Sequence, residues 1–179
     1  MKKTFFSVFI VVFLCFGSVS RSDAAEKNAE TRVSAQIEAV FGKECEKLLV
    51  QAIDEAQKEI QVAIYSITRH SIRDALVNAT ERGVKVDVKY DEKSAEWKGM
   101  SAAIAHMKKR GVKCIPVKMN KEYAKMHHKF TVIDEKRVLT GSYNYSTSAS
   151  MVSYENLVLI ESAKIAEKFA EEFEQIKNK

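Results

Sequence analysis

One proline, no low-complexity stretch and no internal repeat in 179 residues leave little room for a hinged or modular protein. A Pro-rich linker and a solenoid are excluded, and what remains is one domain's worth of chain, long enough to bury a proper core. Cysteine is nearly as scarce. Beyond Cys15 there are only Cys45 and Cys114, neither beside a histidine motif, so a thiol nucleophile has no support. In an oxidising compartment the two could pair, closing a loop long enough for a bridge worth on the order of 4 kcal/mol. Equally, Cys114 alternates with apolar residues and reads as core. No HExxH occurs, and adjacent His127 and His128 would point to opposite faces of a strand, so no metal-binding pattern stands out. The longest apolar run, Phe5 to Phe16, is short for a membrane span.

That run has another reading. Met1-Lys2-Lys3 is a short basic n-region, Phe5 to Phe16 an apolar h-region, and Ser22-Asp23-Ala24 offers small residues where a signal peptidase cuts. Residues 1–24 are therefore expected to be a secretory signal, with an uncleaved anchor as the alternative; cleavage leaves residues 25–179 as a single periplasmic or secreted domain without stable membrane association. Phe13 and Leu14 precede Cys15 where a lipobox would have small residues, which argues against a lipoprotein. Losing Lys2, Lys3, Arg21 and Asp23 with the leader lowers the formal net charge of +5 by two, so the exported domain stays mildly basic.

The chemistry concentrates in His127-His128-Lys129-Phe130-Thr131-Val132-Ile133-Asp134 and Gly141-Ser142-Tyr143-Asn144. On a strand, alternate side chains share a face, so His127, Lys129 and Thr131 point one way and His128, Phe130 and Val132 the other. Asp134 to Arg137 is a polar turn between two β-branched runs, so the returning strand brings Ser142 and Asn144 back to where His127 began. Imidazole can attack phosphorus. An ammonium neutralises non-bridging oxygens, and a hydroxyl and an amide donate hydrogen bonds to them.

The spacing H-x-K-x4-D-x6-G-S-x-N resembles the signature of the phospholipase D superfamily, most closely its small bacterial Nuc-type endonucleases. The resemblance runs from about Phe41 to the last helix. It includes Ala63 to Thr68, Arg82 to Val86, Asp91-Glu92 and Glu155-Asn156. It implies a phosphodiesterase with catalytic His127, Lys129, Asn144 and Glu155, and with Lys129, Ser142 and Asn144 on the phosphate. Asp134 and Gly141 are implied as structural, the former away from the phosphate, where a turn aspartate would bond nearby backbone anyway. Glu155, by resemblance, accepts from the second ring nitrogen of a catalytic histidine. The alternative for Glu155 is a plain surface charge.

Displacement at phosphorus needs a nucleophile on one side and an acid for the leaving oxygen on the other, and one histidine cannot be both at once. No second HxK is present; His70 and His106 have no partner motif. A twofold homodimer sharing one site supplies the missing imidazole, and the superfamily's arrangement agrees. No cofactor or metal is required. The expected partner is nucleic acid, DNA or alternatively RNA. Lys113, Lys118, Lys121, Lys125, Lys129, Lys136 and Arg137 crowd the motif in sequence, as a polyanion track or simply a solvated face. Tyr143 and Tyr145 could stack on bases or pack inside. Two other functions stay open: a hydrolase of phospholipid headgroups, and a nucleic-acid-binding protein without turnover.

Alternating strand and helix periods predict an α/β sandwich, and the resemblance implies a mixed central sheet with helices on both faces. Strands are expected at 32–41, 61–67, 84–90, 112–117, in the motif hairpin and at 156–161. Helices are expected at 44–58, 71–82, 97–110 and 163–177, with Gly83 and Gly111 as left-handed stops.

Overall fold

Seven strands form one sheet in the order β1-β7-β6-β5-β2-β3-β4. The computed structural model describes residues 33–179; the leader expected over residues 1–24 lies outside the described residues. The strands are β1 (Gln36–Phe41), β2 (Glu59–Ile64), β3 (Lys85–Asp91), β4 (Lys113–Val117), β5 (Lys129–Ile133), β6 (Arg137–Gly141) and β7 (Asn156–Glu161). The helices are α1 (Glu44–Asp54), α2 (His70–Glu81), α3 (Lys98–Lys109), α4 (Thr147–Met151) and α5 (Ala163–Gln175), with a 3₁₀ turn at Lys93–Glu96. β2, β3 and β4 run parallel, whereas β5 is antiparallel to β2, and β5, β6, β7 and β1 are antiparallel in turn. The mixed α/β sheet expected from the sequence is the one observed.

Side-chain alternation sorts the residues into two layers. Ile60, Val62 and Ile64 of β2 and Val86, Val88 and Tyr90 of β3 join Leu49, Ile72, Leu76, Met100 and Ile104 in the core beneath α1, α2 and α3. The other face packs Phe130, Val132 and Val138 against Ala166 and Phe173 of α5. Polar residues interrupt that second face. Lys89 is buried there, and its ammonium donates to the carbonyls of Phe173 at 2.5 Å and Ile176 at 3.1 Å. A cation thus satisfies orphan acceptors at the negative end of α5.

Tight connections keep the parallel strands in register. Gly83 (φ +89°) and Gly111 (φ +90°) end α2 and α3 in the left-handed region, as expected, and the next strand starts within two residues. α1 is shorter than expected, stopping at Asp54, and α4 was not anticipated. Cys45 and Cys114 are both free and buried, so the core reading of the thiols holds. Burial pushes the Cys114 thiol up to about 11, which makes it a poor nucleophile.

The β5–β6 turn fixes one end of the sheet. Asp134 (φ +52°) and Glu135 (φ +57°) both take the left-handed conformation that a primed hairpin turn requires, without glycine. What holds them is the Asp134 carboxylate, which accepts from the backbone N–H of Gln57 (3.0 Å), Lys58 (2.7 Å) and Glu59 (3.1 Å). The backbone it binds is near in space yet 75 to 77 residues earlier in the chain, tying the hairpin to the start of β2.

Candidate active site

The motif assembles at the opposite end of β5, where the parallel strands β2 to β4 finish, β5 begins and β6 ends. His127 and His128 precede β5 rather than lying in it, but the backbone ladder continues, with Tyr65 N–H donating to the His128 carbonyl at 3.0 Å. Alternation therefore still sorts the side chains. His128 turns to α5, where its ring meets Phe130 and its Nε2 lies 3.1 Å from Glu172, leaving His127 and Lys129 to the site.

Lys129 Nζ stands 3.3 Å from each ring nitrogen of His127, between them rather than along either lone pair, and donates to the His127 carbonyl at 3.0 Å. Partial burial, then the charges of Lys129 and Lys125, hold the His127 imidazole below the usual histidine range, with Asp91 opposing. That direction favours the neutral imidazole, the form a nucleophile must take. Burial likewise lowers Lys129, against the pull of Glu155.

Ser142 and Glu155 meet directly, the serine hydroxyl donating to Glu155 Oε2, while Ser142 Oγ accepts from Asn156 N at 3.1 Å. Among the described residues no hydrogen bond joins Glu155 to His127. Lys129 is the group that neighbours the imidazole in the single chain. Asn144 is clamped between Tyr143 and Tyr145. Both tyrosines are fully buried, with hydroxyls 2.6 Å from Ser150 and Thr131 respectively, so they pack and do not stack on a ligand. Asn144 Oδ1 is buried and finds no hydrogen-bond partner among the described residues. Oδ1 is an acceptor, so a phosphate oxygen could be met only by the amide nitrogen of this side chain.

Gly141 has to be glycine for contact reasons. A Cβ there would collide with the Asn156 carbonyl, which is backbone and cannot swing away. Gly141→Ala is expected to push β6 off β7 and to cost about 1–3 kcal/mol of stability. It should also displace Ser142. A denaturant melt together with the turnover rate checks both.

Three contacts around His127 escaped the sequence reading, which had Tyr65 and Asp91 within the resemblance but gave them no role. Tyr65 lies against His127 with ring centres 4.8 Å apart and planes tilted by 54°, and the Lys125 and Lys129 ammonium groups each sit 5.5 Å from its ring centre. Asp91, buried at the end of β3, accepts from Ser94 N (2.8 Å) and from Met126 N (3.0 Å), the residue before His127. Ser94 Oγ in turn donates to the Tyr65 carbonyl at 2.7 Å. Asp91 with Ser94 three positions later is a legible turn signature, although its link to His127 is not.

The basic track needs correcting. Lys113 pairs with Asp87 at the start of β4, and Arg137 pairs with Glu55 beside the Asp134 turn, so these and Lys136 belong to the far end of the sheet. Lys125 and Lys129 are the cations shown against the His127–Tyr65 pair. A cleft of about 660 Å³ does exist, but it is lined by Lys58, Asp134, Lys136 and Arg137 at that far end. His127 instead lines a smaller cavity of about 210 Å³ with Lys125, Met126, His128 and Glu172, and both His127 and Ser142 remain exposed. Among the described residues no group of three or more His, Cys, Asp or Glu side chains is placed to share a metal ion.

Solved structures carry the same fold. Nuc from Salmonella typhimurium, a phospholipase D family member, superposes with a TM-score of 0.73 and 29% identity, over 80% of this chain and 94% of that one. NucT from Helicobacter pylori gives 0.73 and 25%, over 80% and 96%. A family model described as cardiolipin synthase, PLD-like domain, matches residues 49–177. The chain belongs to the phospholipase D superfamily. It is a single-motif, Nuc-type member with the superfamily's phosphodiesterase fold. A phospholipase D of Rickettsia prowazekii is 34% identical over 125 residues, which is 70% of this chain and 58% of that protein. The superfamily match thus spans less than two thirds of that relative's length.

Proposed function

We propose that this phospholipase D-superfamily chain is a metal-independent, nonspecific endonuclease of DNA, with RNA as an alternative substrate, working at a site shared by two copies. The observation that carries the reading is the exposed His127, flanked by Lys129 and Lys125. His127 of one copy attacks phosphorus as the bond to the leaving oxygen breaks, and His127 of the other protonates that oxygen. The second imidazole, now neutral, takes a proton from water as the hydroxide attacks the phosphohistidine and frees the first. Lys129, Ser142 and Asn144 hold the non-bridging oxygens. Glu155, bonded to Ser142 in the single chain, can orient an imidazole offered by the second copy. The exposed apolar side chains Phe41, Val152 and Tyr154, beside Glu155 and Asn156, supply a surface for that copy. Residues 1–24 would direct the domain to the periplasm or beyond.

A second reading, hydrolysis of phospholipid headgroups, draws on that same apolar group and on the relative named phospholipase D. Incubating the domain with plasmid DNA and with cardiolipin or phosphatidylglycerol vesicles, in excess EDTA, separates the two. Plasmid degradation with intact lipid is the expected result; the converse sinks the nuclease reading, and loss of plasmid cleavage on chelation sinks the metal-free mechanism.

A further inference from the structure

The chain has one tryptophan, and it stands in water beside the site. Trp97 is 53% exposed, although an indole is among the costliest groups to leave solvated. Its ring meets Tyr65 edge-on at 6.0 Å, and Tyr65 in turn lies against His127 at 4.8 Å. Two ring contacts in series thus link the indole to the imidazole that would attack phosphorus.

Its backbone is fixed in advance. Trp97 N–H donates to the Ser94 carbonyl at 3.2 Å, its own carbonyl accepts from Met100 and Ser101 at 2.9 Å, and Ser94 is anchored to Asp91 and Tyr65. On the neighbouring loop Lys93 Nζ donates to the Glu122 carbonyl at 3.2 Å, and the next residue, Tyr123, is 81% exposed. Lys125 follows two residues later with its ammonium over Tyr65. Exposed aromatics interleaved with ammonium groups form the platform on which unpaired bases stack while the backbone is neutralised.

We infer that Trp97 stacks on an unpaired base next to the scissile phosphate, which makes the site selective for single-stranded or locally unwound nucleic acid. The inference rests on the nuclease reading and adds a strand preference to it. In a duplex both faces of each base are covered by neighbours, so the indole gains a partner only where a base is free or unstacked. Membrane insertion fits less well. Phe41, Val152 and Tyr154 gather near the β1–β7 edge, whereas Trp97 follows β3 on the other side of β5, so the indole is not part of one continuous apolar patch.

Two measurements test this. Because Trp97 is the sole tryptophan, adding oligothymidine to the His127→Ala domain should shift or quench its fluorescence saturably; an unchanged spectrum at saturation, established by anisotropy of labelled oligothymidine, overturns the inference. Trp97→Ala should lower kcat/KM on a single-stranded oligonucleotide about tenfold, mainly through KM, with Trp97→Phe keeping most of the rate. Duplex cleavage should fall less, and bis(p-nitrophenyl) phosphate hydrolysis should stay within about twofold. Equal losses on all three substrates would mean a structural role, and an unchanged single-strand rate would mean no stacking; either overturns the inference and leaves the nuclease reading standing. If the wild type hydrolyses bis(p-nitrophenyl) phosphate but no nucleic acid, the nuclease reading itself fails. Loss confined to phosphatidylglycerol vesicles would make Trp97 a membrane anchor and overturn the inference.

Discussion

His127→Ala should lose phosphodiester hydrolysis by at least ~10³-fold, since general acid–base work alone contributes about 10²–10⁴-fold and the nucleophile goes with it. Melting should hardly change, because His127 is exposed and surface substitutions stay within about 0.5 kcal/mol. Turnover of bis(p-nitrophenyl) phosphate in EDTA, beside a thermal melt, is the measurement. Retained activity would remove His127 from the mechanism. The same variant tests the shared site. A mixed dimer of one wild-type and one His127→Ala subunit holds a single imidazole where two are needed, so co-folding wild type with excess variant should suppress activity beyond simple dilution. Activity in proportion to wild-type content would mean that each chain works alone. The pH profile should be bell-shaped, since one imidazole must be neutral and its twin protonated. Burial and the two lysine charges hold His127 down, so the acid limb should lie below the ordinary histidine value of about 6.5.

Asp134→Ala should have the opposite signature, a large loss of stability with the chemistry intact in whatever remains folded. Its carboxylate accepts from three backbone N–H groups, and charge-assisted bonds of this kind contribute about 1.5–3 kcal/mol each in isolation. Not all of that is lost, because water can reach the turn; about 2–4 kcal/mol is expected, or roughly 5–15 °C in Tm for a domain of this size. Alanine also tolerates the left-handed backbone at 134 less well than aspartate does. Burial pushes the Asp134 carboxyl up, but the N–H groups of Gln57, Lys58 and Glu59, with Arg137, together hold it below its ordinary value. A depressed folded-state value contributes stability that is complete above the unfolded-state value of about 3.9 and is lost as pH falls through the folded one. The gap between wild type and Asp134→Ala in denaturant melts should therefore be full at pH 7 and narrow below about pH 4. A constant gap down to pH 2 would mean that backbone strain, not the carboxylate, accounts for it.

Those two aspects show what the residue order could and could not reveal. Strand and helix periods revealed the α/β alternation, the resemblance supplied the mixed sheet, and alternation put His127 with Lys129 and turned His128 away, because such rules are local. The helix Thr147–Met151 was missed because five residues carry too little period to notice, although Ser146 caps it by accepting from Ala149 N at 3.2 Å. The basic track failed for a different reason. Lys113 and Lys136 are near the motif along the chain, but a strand carries each to the far end of the sheet. Tyr65 and Asp91 reach His127 only through strand pairing, and no spacing rule announces that.

The order in which the chain is made has its own consequence. His127 and Lys129 enter the sheet between β2 and β6, and Ser142 and Glu155 close the site only after β7, whose first residue is Asn156, has paired with β6. A nascent chain carries every side chain of the candidate site and no assembled site. Assembly is withheld until the last strand docks, so whatever chemistry the site performs belongs to the folded domain alone.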